Sequence, residues 1–122
     1  MKIDFIVSAT EDLEFPDESF DVITACQCFF YFDYDKVIPK LARLLKKSGR
    51  LVILFMAWVP DEDKLASESE RLVLKYNPKW TGGGYTRKPV FIHKIANECF
   101  DVEYAEDYDI IVPFTREAGM EE

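Results

Sequence analysis

Two apolar runs separated by an amphipathic stretch constrain this chain more than any other feature. Residues 51–59 are apolar without a break, and Phe20–Cys26 carries Val22, Ile23 and Ala25 with little polar alternation. Runs of this kind suit strands covered on both faces, as inside a parallel sheet. Between them, Val37, Ile38, Leu41, Leu44 and Leu45 recur at the spacing of one buried helix face. Strand, helix and strand in that order are the unit from which parallel sheets are built, so the centre of the chain reads as α/β.

The boundaries of that unit follow from its punctuation. Asp33 or Asp35 caps a helix starting near Lys36, with Pro39 close to the first turn, where backbone N–H groups lack partners anyway. Lys46 and Lys47 favour the negative end of the helix, and Ser48-Gly49 stops it. Upstream, residues 3–8 read as a strand and 11–19, acidic and broken by Pro16, as a loop. Downstream, Asp61 and Asp63 open a helix carried by Leu65, Leu72, Val73 and Tyr76 and ended by Asn77-Pro78. A loop over 77–88 contains Gly82-Gly83-Gly84, and Pro89 starts a short helix to about Asn97. Phe100, Val102 and Tyr104 alternate, as do Tyr108, Ile110, Val112 and Phe114, which predicts a β-hairpin with Pro113 on an edge strand.

The chain of 122 residues is sized for one domain, and its 48% hydrophobic and 31% charged residues suit a folded one. A net charge of −8 repels a phosphate backbone, and Lys79, Arg87 and Lys88 are too sparse to form a basic patch. Nucleic acid is therefore not an expected partner. No apolar run is long enough to span a bilayer, so no membrane is expected either. Cys26, Cys28 and Cys99 fit no disulfide framework, which with the lack of a signal peptide predicts a cytoplasmic location.

Several segments in sequence carry a family resemblance. Glu11-Asp12-Leu13-Glu14-Phe15-Pro16-Asp17 leads into Ser19-Phe20-Asp21-Val22-Ile23. The aromatic segment Gln27-Cys28-Phe29-Phe30-Tyr31-Phe32 follows, and then Arg43-Leu44-Leu45-Lys46-Lys47-Ser48-Gly49. In order and spacing this resembles the middle of a class I S-adenosylmethionine-dependent methyltransferase of the small-molecule type. The resemblance implies a partial Rossmann-like methyltransferase sheet, mostly parallel, with the C-terminal β-hairpin and flanking helices, over a single partial domain at 1–122. It also implies S-adenosylmethionine as cofactor and a small-molecule methyl acceptor.

Ligands of open parallel sheets sit beyond the carboxyl ends of the strands. Thr10, Glu11 and Gln27 follow predicted strands and so fall at that rim. The resemblance places Thr10 and Glu11 beside the adenine, Gln27 toward the methionine side, and Phe30 and Tyr31 on the substrate side. Ordinary loop and strand-end roles compete with these readings. No Gly-x-Gly-x-Gly loop occurs before the first glycine, Gly49, and Gly82-Gly83-Gly84 follows a Trp-containing loop rather than a strand, which reads as a flexible loop. Productive cofactor binding by this chain alone is not expected.

Other chemistries find little support. Cys26-x-Cys28 has too short a spacing for zinc, and buried structural cysteines are expected instead. His93, the only histidine, has no carboxylate three or four residues away and reads as a surface or helix-packing residue. Four consecutive aromatics, Phe29 to Phe32, cannot all face one way, so at least one is expected at the surface. No catalytic residue is assigned. Two functions stay open: part of a small-molecule methyltransferase, or a non-catalytic assembly module that forms a homodimer or docks through an uncovered sheet edge.

Overall fold

The computed structural model describes residues 2–83 and 93–113. At its centre two parallel strands, β1 (Phe20–Cys26) and β2 (Leu45–Leu54), are joined by the helix α1 (Tyr34–Leu44). The expected strand–helix–strand unit is thus present, and the fold is α/β of the partial Rossmann-like kind. Two further helices follow, α2 (Lys64–Tyr76) and α3 (Lys94–Cys99).

The core lies between one face of the sheet, α1 and α3. Val37 and Ile38 are fully buried, and Leu41, Ala25 and Phe29 join them. Ile23 and Leu51 from the strands, and Ile95, Ala96 and Phe100 at α3, pack against this cluster. The face predicted from Val37, Ile38, Leu41, Leu44 and Leu45 is buried in full. Its last member, Leu45, is the first residue of β2 rather than part of the helix.

The junction of α1 with β2 differs from the expected turn. Phe20 pairs with Leu45 but Val22 pairs with Arg50, so residues 46–49 bulge out of the ladder while β1 advances only by Asp21. Lys46 Nζ donates to both Asp21 carboxylate oxygens, at 2.9 and 2.8 Å. A Cβ on Gly49 would lie 3.0 Å from the Lys46 carbonyl oxygen and 3.1 Å from that of Asp21, so the bulge leaves no room for a side chain. The last carbonyls of α1 are satisfied from outside the helix. Glu18 N–H donates to the Arg43 carbonyl at 3.0 Å and Ser19 N–H to that of Leu44 at 2.9 Å.

Helix α1 begins two residues before the expected Lys36, with Asp33 at its N-cap. Pro39 is therefore its sixth residue and lies in the helix interior, not the first turn. The side chain of Asp63 caps α2 as expected, accepting from Leu65 N at 2.8 Å and Ala66 N at 2.9 Å. Its buried side is not the predicted one. Ala66 and Glu70 are buried, whereas Leu65, Leu72, Val73 and Tyr76 are exposed. The indole of Trp80 lies over Gly82 and Gly83, where a Cβ would fall 2.7 Å from the ring at either position. Those two glycines admit the ring rather than merely loosening the loop.

Three strand expectations are corrected. Residues 3–8 form no strand, and their apolar side chains are exposed. Residues 101–113 form no strand either, so the hairpin is absent over its described part; Phe114 lies outside the described residues. The run at 51–59 is a strand only to Leu54. Cover on both faces also fails, since Val22, Ile53 and Leu54 are exposed. Among the described residues only one helical layer packs on the pair, so one strand face has nothing to bury against. Helix α3 starts later than expected, with His93 at its N-cap. The start predicted at Pro89 lies outside the described residues.

Candidate functional site

The carboxyl end of β1 is built around Gln27. Its backbone takes a left-handed conformation, φ 62°, which turns the chain sharply after Cys26. Gln27 N–H still donates to the Leu54 carbonyl at 2.9 Å, extending the ladder by one step. Its side chain then grips the chain after β2. Nε2 donates to the Met56 carbonyl at 2.6 Å, and Oε1 accepts from Met56 N–H at 3.0 Å. A side-chain amide thus replaces a strand's backbone in pairing with residue 56.

The aromatic segment follows as a 3-10 turn, Phe29–Tyr31. Phe29 is buried and stacks on Tyr34, with centroids 5.4 Å apart. Phe30 stands edge-on to Phe55 at 4.8 Å, half exposed, and Tyr31 is exposed almost entirely. A three-residue turn points successive rings in different directions, so the expected exposure falls on Phe30 and Tyr31.

Thr10 and Glu11 lie on another 3-10 turn, Thr10–Asp12. Glu11 Oε1 accepts from Asp33 N–H at 3.2 Å, which ties this turn to the start of α1 just beyond the aromatic segment. Lys40 holds the same turn from the helix. Its Nζ donates to the carbonyls of Glu11 and of Leu13, the latter at 2.9 Å, with the Glu14 carboxylate 3.8 Å away. Sequence reasoning missed Lys40. The available signal was a lysine between the buried Ile38 and Leu41, facing an acidic loop.

The Lys36 ammonium, hydrogen-bonded to Asp33, holds that carboxyl below the usual carboxylate range and is itself raised by it. The pair is 2.9 Å long and exposed, so it trims the start of α1 without anchoring it.

The structure brings the Thr10-Glu11 turn and the 27–33 loop to neighbouring positions through the Glu11–Asp33 bond. A cleft of about 230 Å³ is lined by Leu13, Phe15, Phe20, Val22, Ile23, Leu41 and Leu44. None of the five candidate residues lines it. Both polar atoms of the Gln27 side chain are engaged by Met56. With that amide engaged and the cleft lined by apolar side chains, neither offers a free polar group to hold S-adenosylmethionine.

Metal chemistry has no cluster to rest on: among the described residues no three His, Cys, Asp or Glu side chains converge. Cys26 is exposed and Cys28 and Cys99 half-buried, which corrects the expectation of buried cysteines. His93 Nδ1 accepts from Ile95 N–H at 3.4 Å and its ring lies 5.0 Å from that of Tyr34, a helix-capping and packing role. No helix among the described residues is long and apolar enough to cross a membrane.

Parallel strands joined by a helix, with the acidic turn and aromatic loop at one rim, define the class in which comparison with known proteins is informative. Residues 1–53 match a methyltransferase domain family. The chain is also similar to the ubiquinone/menaquinone biosynthesis C-methyltransferase UbiE of Vibrio campbellii and of Vibrio parahaemolyticus, each 40% identical over 53 residues. The counterpart in Vibrio vulnificus is 38% identical over the same length. The matched segment is 43% of this chain and 20% of each relative, so the chain spans about a fifth of the relatives it matches. No solved structure matches. Over residues 1–53 the chain thus resembles methyltransferases.

Proposed function

We propose that this chain is a portion of, or a remnant related to, an S-adenosylmethionine-dependent methyltransferase acting on a small molecule in the cytoplasm, and that it is inactive by itself. The observation that carries this reading is the match to a methyltransferase domain family of residues 1–53, the segment that holds the Glu11 turn, β1 and the Gln27 loop. Thr10 and Glu11 flank the adenine, Gln27 sets the loop on the methionine side, and Phe30 and Tyr31 face the acceptor. Methyl transfer depends largely on alignment, so the absence of an assignable acid–base pair among the described residues is compatible with it.

The test is titration of the 122-residue chain with S-adenosylmethionine. Calorimetry is expected to show no micromolar binding, whereas a constant in that range, roughly −8 kcal/mol, would mean that this chain assembles a pocket. At millimolar cofactor, amide shifts are expected at Thr10, Glu11 and Gln27. Shifts confined to other residues, or none, would remove the cofactor-side assignment.

A second reading is favoured by one specific observation: among the described residues β1 pairs with β2 alone, so no strand lies on its other edge. On this reading the chain is an assembly module that forms a homodimer through a surface including residues 20–32. Light scattering at micromolar concentration is expected to give twice the chain mass.

A further inference from the structure

Because β1 and β2 are parallel, the loops that follow them leave the sheet at the same end. Ligands of open parallel sheets lie beyond that end. The two loops are coupled twice, by the bonds of Gln27 to Met56 and by the edge-on contact of Phe30 with Phe55 at 4.8 Å. They therefore present one surface.

The make-up of that surface sets it apart from the rest of the chain. Residues 27–32 and 54–60 contain no Asp, Glu, Lys, Arg or His, although 31% of the chain is charged. A charge-free stretch is ordinarily core. Here, however, Phe30 is 51%, Phe55 48% and Met56 60% exposed. The Gln27 amide is taken up by the Met56 backbone, so it presents neither a charge nor a free polar group to an occupant.

Such a surface discriminates by charge. An ion seated on it loses water and meets no counter-ion on either loop. A neutral ring gives up no such hydration. It gains ring contacts with Phe30 and Phe55 and a sulfur contact with Met56.

We propose that the acceptor side of this chain takes an uncharged aromatic molecule, seated on Phe30, Phe55 and Met56 beyond the carboxyl ends of β1 and β2. This rests on the methyltransferase reading and names the class of substrate that the site receives.

The experiment is an NMR titration of the full 122-residue chain with naphthol and, separately, with naphthoate, up to about 2 mM. The two probes share their rings and differ in charge. Naphthol is expected to shift the amides of Phe30, Phe55 and Met56, and naphthoate to bind at least ~10-fold more weakly. Phe30→Ser and Met56→Asp are each expected to weaken naphthol binding at least ~5-fold. Both side chains are exposed and the Gln27 bonds run to the Met56 backbone, so these variants keep their helical circular dichroism. Leu72→Ser removes an exposed apolar side chain on α2 and is expected to leave naphthol binding unchanged. Equal binding of the two probes, shifts confined to other residues, or an equal loss in Leu72→Ser overturns the proposal. Adding S-adenosylmethionine to the same sample separates this failure from that of the reading beneath it. Shifts at Thr10 and Glu11 with the cofactor but none with naphthol sink the aromatic acceptor and leave the methyltransferase reading standing. No response of Thr10, Glu11 and Gln27 to the cofactor removes that reading, and the acceptor role with it, whatever naphthol does.

Discussion

Gln27 and Met56 are joined by two hydrogen bonds, of 2.6 and 3.0 Å, in which a side-chain amide satisfies both backbone groups of the residue opposite. The backbone at Gln27 is left-handed, φ 62°, where the chain leaves β1. One residue therefore fixes the separation of the two loops that leave the sheet.

Gln27→Ala removes both bonds and keeps an unfavourable backbone conformation, so a loss of roughly 1–3 kcal/mol is expected in urea unfolding. Gln27→Gly relaxes the backbone and is expected to lose less than the alanine variant. Equal losses would show that the backbone contributes nothing.

Lys40 is the anchor of the Thr10–Asp12 turn, and its side chain is only 16% exposed. Lys40→Met keeps the aliphatic stem but leaves the Glu11 and Leu13 carbonyls without this donor. We expect a loss of about 1.5–3 kcal/mol and faster hydrogen exchange confined to residues 10–14. A uniform increase across α1 would contradict an anchoring role.

Burial separates two apolar positions that look alike in sequence. Ile38 has no exposed surface, and Ile38→Ala is expected to cost about 2–5 kcal/mol, enough to unfold a marginal domain. Ile53 is 45% exposed, so Ile53→Asp in the monomer is expected to lower stability by roughly 1 kcal/mol or less. Complete unfolding of Ile53→Asp would show that its face is covered.

Asp63 accepts from two N–H groups at the start of α2, so Asp63→Ala is expected to reduce stability by about 1 kcal/mol. Loss of helical dichroism without a change in the near-ultraviolet signal of the core would confirm that the effect is local.

The Asp33–Lys36 pair gives a pH signature. The Asp33 carboxyl is lowered by the Lys36 hydrogen bond, so whatever the pair contributes is present above the unfolded carboxylate pKa and disappears as pH falls through the folded one. In a carbon-detected titration Asp33 is expected to protonate below the ordinary aspartate range, and in Lys36→Met it is expected to move upward. An unchanged Asp33 in that variant would remove Lys36 as the cause.

The sequence by itself determined β1, α1 and the buried face between them, since Val37, Ile38, Leu41 and Leu44 recur at helical spacing and Phe20–Cys26 is bounded by clear loop signals. It also marked Asp63 as a cap and the methyltransferase resemblance of residues 1–53, because caps and linear motifs are local in the chain. Of the candidate site, Glu11 and Gln27 were legible as rim positions, but not the roles of Lys40 and Met56, whose partners lie 27 to 29 residues away. Tertiary structure alone decided which apolar runs become strands. Residues 3–8 and 101–113 have the alternation of strands but pair with no strand among the described residues, and a lone strand leaves its backbone groups to water. Likewise Leu65, Leu72 and Tyr76 form an apolar stripe on α2 that the fold leaves exposed. Periodicity shows which side of an element can be buried, and only an opposing surface determines whether it is.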